Sequence, residues 1–324
     1  LPVVLALPKQ VGWGLFADLM EKLLFYLGEL LKPVIHLDPT TSQIYRGVIK
    51  LVIILHHDFP EFLSANHSKL CVHVPSYSTQ LNNLILSATP PQIADMPNPM
   101  QPGLKLDRVG EIRQSPDSMN DVEGPLRDSG LFDLVEQALE HGPSEDAIAH
   151  IAHEIQRKKT RQNGLGSLPV DADRKLIDSL VLYVGTNAIA RSEQKGAPIF
   201  APGTPDIKLL SMLVHELRPA TRFVFLGSIV NQLRFPNTQT HYFNQALLDL
   251  FGSDANDQEE LEIREQITRI LLERSIGQWP QPWGLLVVIQ ELVKNKKYMF
   301  FDLPFIKSAP EVSPRYFGTF LGHN

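Results

Sequence analysis

The stretch from Pro219 to Pro282 constrains this chain most, because it reads as three helices in immediate succession. Phe223, Leu226, Val230 and Leu233 recur at helical spacing after Pro219, a residue suited to a first helical turn. Phe235-Pro236-Asn237-Thr238 breaks that helix and caps the next, whose apolar face is Phe243, Ala246, Leu247, Leu250 and Phe251. Gly252 closes it. Asp254, Asp257, Glu259 and Glu260 suit the positive end of a third helix, with Ile263, Ile267, Ile270 and Leu271 on one side. Apolar stripes on consecutive helices joined by short turns predict antiparallel neighbours packed together.

The remainder repeats this character. Gly14 to Leu31 carries a broad leucine face of Leu15, Leu19, Leu23, Leu24, Leu27 and Leu31. A helix from Pro39 through Ile44, Val48, Leu51, Val52 and Leu55 is apolar on most sides and reads as a central helix. Phe59-Pro60 ends it and launches another, as Phe235-Pro236 does later. Leu81 to Ala88, Leu131 to Leu139 and Ser144 to Lys159 are further helices, the last with a serine cap. Asp171 is expected to cap an apolar helix through Ile177, Leu180, Val181 and Val184 to Ile189. Trp283 to Val293 closes the series, with Lys294, Lys296 and Lys297 at its negative end. Between Thr89 and Pro125 lie seven prolines, an unusually long irregular connection. No stretch alternates with period two, so the expected fold is all-α. The expected form is an array of antiparallel helices, one domain over 1–324 divisible into lobes at 10–127 and 128–324.

Composition excludes little and supports the same class. In 324 residues the chain can bury a sizeable core, and 43% hydrophobic with 20% charged residues is ordinary for a globular protein. The apolar Leu1 to Leu7 run is too short and too interrupted by proline for a signal peptide or membrane span. Without an initial Met, the chain reads as a piece of something longer. One cysteine, Cys71, excludes an intrachain disulfide and any multi-cysteine zinc cage, and fits a reducing compartment. A net charge of −6 argues against a dedicated nucleic-acid binder.

Catalytic signatures are missing. His150-Ile151-Ala152-His153-Glu154 has neither order of a zinc-protease motif, and His56-His57-Asp58 reads as the polar last turn of a helix. No phosphate-binding glycine loop and no nucleophile elbow occur, so no enzyme, metal or cofactor is expected. Arg157, Lys158, Lys159 and Arg161 form the one basic run; as a phosphate contact it would make the chain a helical RNA binder. No aromatics interleave with it, and a solvated helix end explains it more simply. Recognition residues are sought instead where aromatics and arginine gather at helix junctions. These are Arg234, Phe235, Asn237, His241, Tyr242, Trp279 and Trp283, with capping as the alternative role of Asn237.

A set of motifs sharpens the reading. Asn231-Gln232-Leu233-Arg234, Phe235-Pro236-Asn237, Thr240-His241-Tyr242-Phe243 and Pro282-Trp283-Gly284-Leu285-Leu286 follow one another in the order of a known family. So do the earlier His57-Asp58-Phe59-Pro60-Glu61-Phe62-Leu63 and Leu180-Val181-Leu182-Tyr183-Val184-Gly185-Thr186, and the later Ala309-Pro310-Glu311. The chain resembles the C-terminal domain of the Not-one scaffold subunit of the CCR4–NOT deadenylase complex, departing from its pattern most between residues 141 and 170. The resemblance implies a non-catalytic, HEAT-like scaffold without cofactors, in cytoplasm and nucleus. It further implies docking of the Not-two and Not-three (or Not-five) subunits through extended segments. The Not-four ubiquitin ligase and translational repressor peptides are further implied partners, in the service of mRNA deadenylation and decay.

Overall fold

Proline opens helices throughout this chain: Pro39, Pro60, Pro205, Pro219 and Pro304 each occupy a first helical position. There the missing N–H removes a donor that would have no intrahelical partner. Side chains cap several starts, the one at Pro39 included. Asp38 accepts from the Thr41 amide at 3.0 Å, Asp173 from Leu176 at 3.2 Å and Asn237 from Thr240 at 2.8 Å. The cap of the helix expected to follow Asp171 is thus Asp173, and Ser144 caps its helix as expected.

The computed structural model describes residues 5, 12–31, 38–75, 77–93, 96–99, 101, 109–118, 121–156, 172–252, 257–276 and 282–309. Among them are fourteen α-helices and no strand, so the all-α expectation holds. None of these helices is long and apolar enough to cross a membrane. The chain divides into two compact units. The first comprises Leu1–Met96, Pro116–Asn120 and Glu273–Pro282; the second comprises Pro97–Ser115, Asp121–Leu272 and Trp283–Asn324. The expected lobes at 10–127 and 128–324 have other bounds than these units, and the connecting chain contributes residues to both units. Val122 and Leu126 pack into the core of the second unit, and residues 97–115 belong to it as well.

The first unit packs α1 (Trp13–Leu30), α2 (Pro39–Asp58), α3 (Pro60–Cys71) and α4 (Thr79–Leu86). Its core joins Leu24 and Leu27 of α1, Val52 and Leu55 of α2, Phe62 and Leu63 of α3, and Leu81 and Ile85 of α4. Phe59-Pro60 does join two helices, Phe59 being at once the C-terminal cap position of one and the N-terminal cap position of the next. Asn83 donates to the carbonyls of Glu273 and Ile276 at 2.9 and 2.8 Å, tying that returning segment to α4. Cys71 is buried, as a small apolar residue would be.

The second unit contains α5 (Gly124–Asp128), α6 (Phe132–His141), α7 (Glu145–Gln156), α8 (Arg174–Lys195), α9 (Pro205–Glu216), α10 (Pro219–Val230), α11 (Thr238–Phe251), most of α12 (Gln258–Ser275), α13 (Trp283–Lys294) and α14 (Pro304–Lys307). The central helix is α8, buried without interruption from Ser179 to Gly185 and packed against α5, α9, α10 and α11. The helix expected in that role, α2, exposes Ile53 and Ile54 and buries only one side. The difference lies in the neighbours: a helix apolar all round needs partners all round, and α8 has them.

Two contacts fix the second unit. A Cβ on Gly185 of α8 would stand 2.4 Å from Cζ of Phe243, so only glycine lets α8 and α11 approach this closely. Arg222 of α10, 1% exposed, reaches Glu259 at 3.0 Å, Glu262 at 2.6 Å and Gln266 at 3.2 Å, fastening α10 to α12. Three acceptors suit a fork of five donors, and removing such a buried charge's partners costs about 3–5 kcal/mol. Gly185→Ala should destabilise the chain by about 1–3 kcal/mol in urea unfolding, through overpacking. Adding Phe243→Leu should return part of that loss, whereas simple additivity would place the cause elsewhere.

Candidate functional site

The turn between α10 and α11 collects most of the motif residues. Asn237 caps α11 and also donates from its amide to the Phe235 carbonyl at 2.8 Å. Thr240, fully buried, donates its hydroxyl proton to the Gln232 carbonyl at 2.9 Å and accepts from the Arg234 amide at 3.3 Å. The Arg234 carbonyl then accepts the Gly284 amide at 2.7 Å. A Cβ on Gly284 would lie 2.5 Å from Cγ2 of Thr240 and 3.0 Å from the Leu233 carbonyl carbon. The first residues of α13 thus sit against the α10–α11 turn with no room for a side chain.

Parts of the proline-rich connection are held on these same elements. The Trp283 indole N–H donates to the Pro97 carbonyl at 2.9 Å, and the Thr238 amide donates to the Gln114 carbonyl at 2.9 Å. The Gln290 amide nitrogen, facing Pro99, reaches that carbonyl at 2.7 Å. Val109 and Ile112 of the connection are buried, and the short 3₁₀ turn Gly110–Arg113 packs on α11. Main-chain carbonyls held by fixed donors, with apolar side chains pressed inward, are how a helical surface grips extended chain.

The expected recognition residues therefore stand in the packing. Arg234, Phe235, Asn237, Tyr242 and Trp283 are all buried, and only His241 is half-buried. At these positions the helix junctions close over the side chains. Arg234 lies 5.0 Å from the Phe235 ring centre, and the Tyr242 hydroxyl donates to Asp206 of α9 at 2.6 Å. Trp279, and the basic run Arg157, Lys158, Lys159 and Arg161, lie outside the described residues.

Exposed apolar surface occurs elsewhere. On α1, Leu15 is 70%, Leu19 56% and Tyr26 55% exposed, at spacings that put them on one helical stripe in the first unit. The broad leucine face is wider than the side α1 buries. The signal was available in the count of leucines, which exceeds a stripe of about 100°.

The second unit has a polar cavity of about 370 Å³ lined by Ser211, His215, Asp249, Glu260 and Lys297 among others. His215 Nε2 lies 3.3 Å from the buried Glu260 carboxylate. Burial raises the Asp249 carboxyl above its ordinary pKa, and Lys297 opposes that rise. Ser211 and His215 both line the cavity, and no hydrogen bond joins them among the described residues. His150 and His153 are exposed on α7, and no described cluster of His, Cys, Asp or Glu is arranged to hold a metal.

Comparison with known proteins is decisive for the family. The family described as "CCR4-Not complex component, Not1" matches residues 1–318. The chain belongs to the Not1 family. It is 32% identical over 270 residues to general negative regulator of transcription subunit 1 of Schizosaccharomyces pombe, covering 83% of this chain and 12% of that protein. It is 31% identical over 323 residues to the Saccharomyces cerevisiae protein of the same description, covering 96% and 15%. It is also 33% identical over 282 residues to CCR4-NOT transcription complex subunit let-711 of Caenorhabditis elegans, covering 86% and 10%. The chain therefore spans only a small part of these Not1 relatives. The solved Not1 superfamily homology domain from Chaetomium thermophilum superposes with a TM-score of 0.91 at 44% identity, covering all of this chain and 61% of that one. A solved Not1 C-terminal domain in complex with Not4 gives 0.82 at 30% identity, covering 96% and 60%.

Within this Not1 domain the Tyr242–Asp206 contact makes stability depend on alkaline pH. Burial first, and then the Asp206 carboxylate, hold the Tyr242 phenol well above its ordinary pKa of 10.0. The unfolded chain therefore loses this proton first as pH rises. The contribution is complete below pH 10 and is lost as pH climbs toward the folded value. Unfolding midpoints should fall above pH 10, and Tyr242→Phe should make that fall shallower; an unchanged slope would remove Tyr242 as a cause.

Proposed function

We propose that this chain is a non-catalytic scaffold domain of the CCR4–NOT complex that holds extended segments of other subunits against its helices. What supports this is the proline-rich connection, whose Pro97, Pro99 and Gln114 carbonyls accept from Trp283, Gln290 and the Thr238 amide. Helices that hold their own extended chain in this manner have the chemistry to hold another's. Membership of the Not1 family supports the assignment to that complex.

In this reading the partners are the Not-two and Not-three (or Not-five) subunits, with Not-four and repressor peptides as further ligands. The work served is mRNA deadenylation, decay and translational repression, in cytoplasm and nucleus. A structural neighbour solved in complex with Not4 supports Not-four as a partner, and we assign to it the exposed α1 stripe of Leu15, Leu19 and Tyr26 on the strength of that apolar exposure alone. Apolar side chains of such a segment would cover leucines that are otherwise in water.

The purified chain should co-elute with matching Not-two and Not-three fragments at micromolar concentration; separate elution would count against the scaffold reading. Leu19→Asp, on an exposed position, should leave thermal unfolding within about 0.5 kcal/mol of the parent. It should weaken binding of a Not-four C-terminal fragment about tenfold or more, as loss of an apolar anchor does. Unchanged affinity would move that segment to another face.

A further inference from the structure

Four serine or threonine residues in this chain are followed directly by proline: Thr89, Ser115, Thr204 and Ser313. Ser313 lies outside the described residues. The Thr89 and Thr204 hydroxyls are half-buried and already donate to the carbonyls of Ser87 and Ala201, at 3.3 and 2.9 Å. Ser115 differs from both. It is exposed, its hydroxyl makes no hydrogen bond among the described residues, and Arg113, Gln114, Asp117 and Ser118 around it are exposed too.

The backbone at this point is already extended. Gln114 has φ −102° and ψ 130°, and a following proline pushes Ser115 toward the same region. An extended, solvent-facing acceptor is what a protein kinase needs, because its cleft takes a strand rather than a helix. Proline at the next position has no N–H, which restricts the enzyme to kinases that require no hydrogen bond there. We propose that Ser115 is a phosphorylation site for a proline-directed protein kinase, and that the phosphate tightens the hold of α11 on the connection.

In the transfer, Ser115 Oγ forms a bond to the γ-phosphorus of a nucleoside triphosphate held by the kinase. The bond from that phosphorus to the β,γ-bridging oxygen breaks, and the nucleoside diphosphate departs with those electrons. The hydroxyl proton passes to the kinase's base. The product carries about −1.5 to −2 charges near neutral pH.

The consequence follows from where Ser115 is attached. The carbonyl immediately before it, on Gln114, accepts the Thr238 amide at 2.9 Å, and Thr238 is the first residue of the 14-residue helix α11. A phosphate on the next residue therefore stands close to the positive end of that helix. Arg113, two residues back, is joined to no described carboxylate and adds a positive charge within reach. Glu111 and Asp117 flank the segment and oppose the new charge, which keeps the gain to a few-fold.

The test uses the purified folded chain, ATP and a proline-directed kinase, with sites mapped by mass spectrometry. The expected result is phosphate on Ser115, absent from Ser115→Ala and strongly reduced in Pro116→Ala, with Thr89 and Thr204 unmodified. Hydrogen exchange at the Thr238 amide should then slow about two- to fivefold at low salt, and less in 0.5 M salt, a screening effect. Phosphate on Ser115 only after heat denaturation would show the fold hides it and overturn the site. Modification of Ser115 with Thr238 exchange unchanged or faster would overturn the coupling. Modification confined to Ser313 would overturn both.

Discussion

The close passage of α11 between two glycines is the contact on which the second unit depends. Gly185 of α8 meets Phe243 on one side, and Gly284 of α13 meets Thr240 on another. At both places the missing Cβ lets a neighbouring helix approach to a distance that any side chain would forbid. Three sequence-distant motifs converge there: the apolar run ending at Gly185, the turn and helix start from Asn231 to Phe243, and the Trp283-Gly284 start of α13. Their spacing in sequence has no visible logic until α11 is placed at the centre. Then each glycine answers to a named atom, and each polar residue of the turn to a named carbonyl.

The same geometry decides what the motif residues do. Phe235, Tyr242 and Trp283 are large and rich in contacts, which made them candidates for recognition. Burial gives them a different role, since the indole N–H of Trp283 and the phenol of Tyr242 find partners inside the chain. A buried Tyr or Trp must satisfy its polar end, and here that requirement ties α11 to α9 and α13 to the connection. The connection held on α13 through its Pro97 and Pro99 carbonyls is bound by main-chain acceptors and fixed side-chain donors.

Helical periodicity was legible because proline starts, caps and apolar spacing are local properties. Asn237, Ser144, Pro219 and Pro60 could be placed on that basis alone. What escaped is non-local. Nothing in sequence distinguishes the α2 apolar face, half of which meets water, from α8, which neighbours cover on every side. Arg222 gave no signal among other arginines, because its partners lie 37, 40 and 44 residues away. Helical spacing alone does not say which leucines of a broad face meet neighbours, so the outward Leu15 and Leu19 look the same in sequence as the buried Leu24 and Leu27. With Ile53 and Ile54 of α2, they are apolar surface in the first unit that its described core does not consume.

The central claim is that the residues shared with the Not1 family between Asn231 and Gly284 build the framework and leave recognition to other surface. Phe235→Leu and Tyr242→Phe, held at a temperature where both variants are more than nine-tenths folded, separate the two roles. Affinity for Not-two and Not-three fragments, measured by calorimetry beside urea unfolding, gives the answer. The account predicts lowered stability with affinity within about twofold of the parent. Parental stability with affinity lost would contradict it.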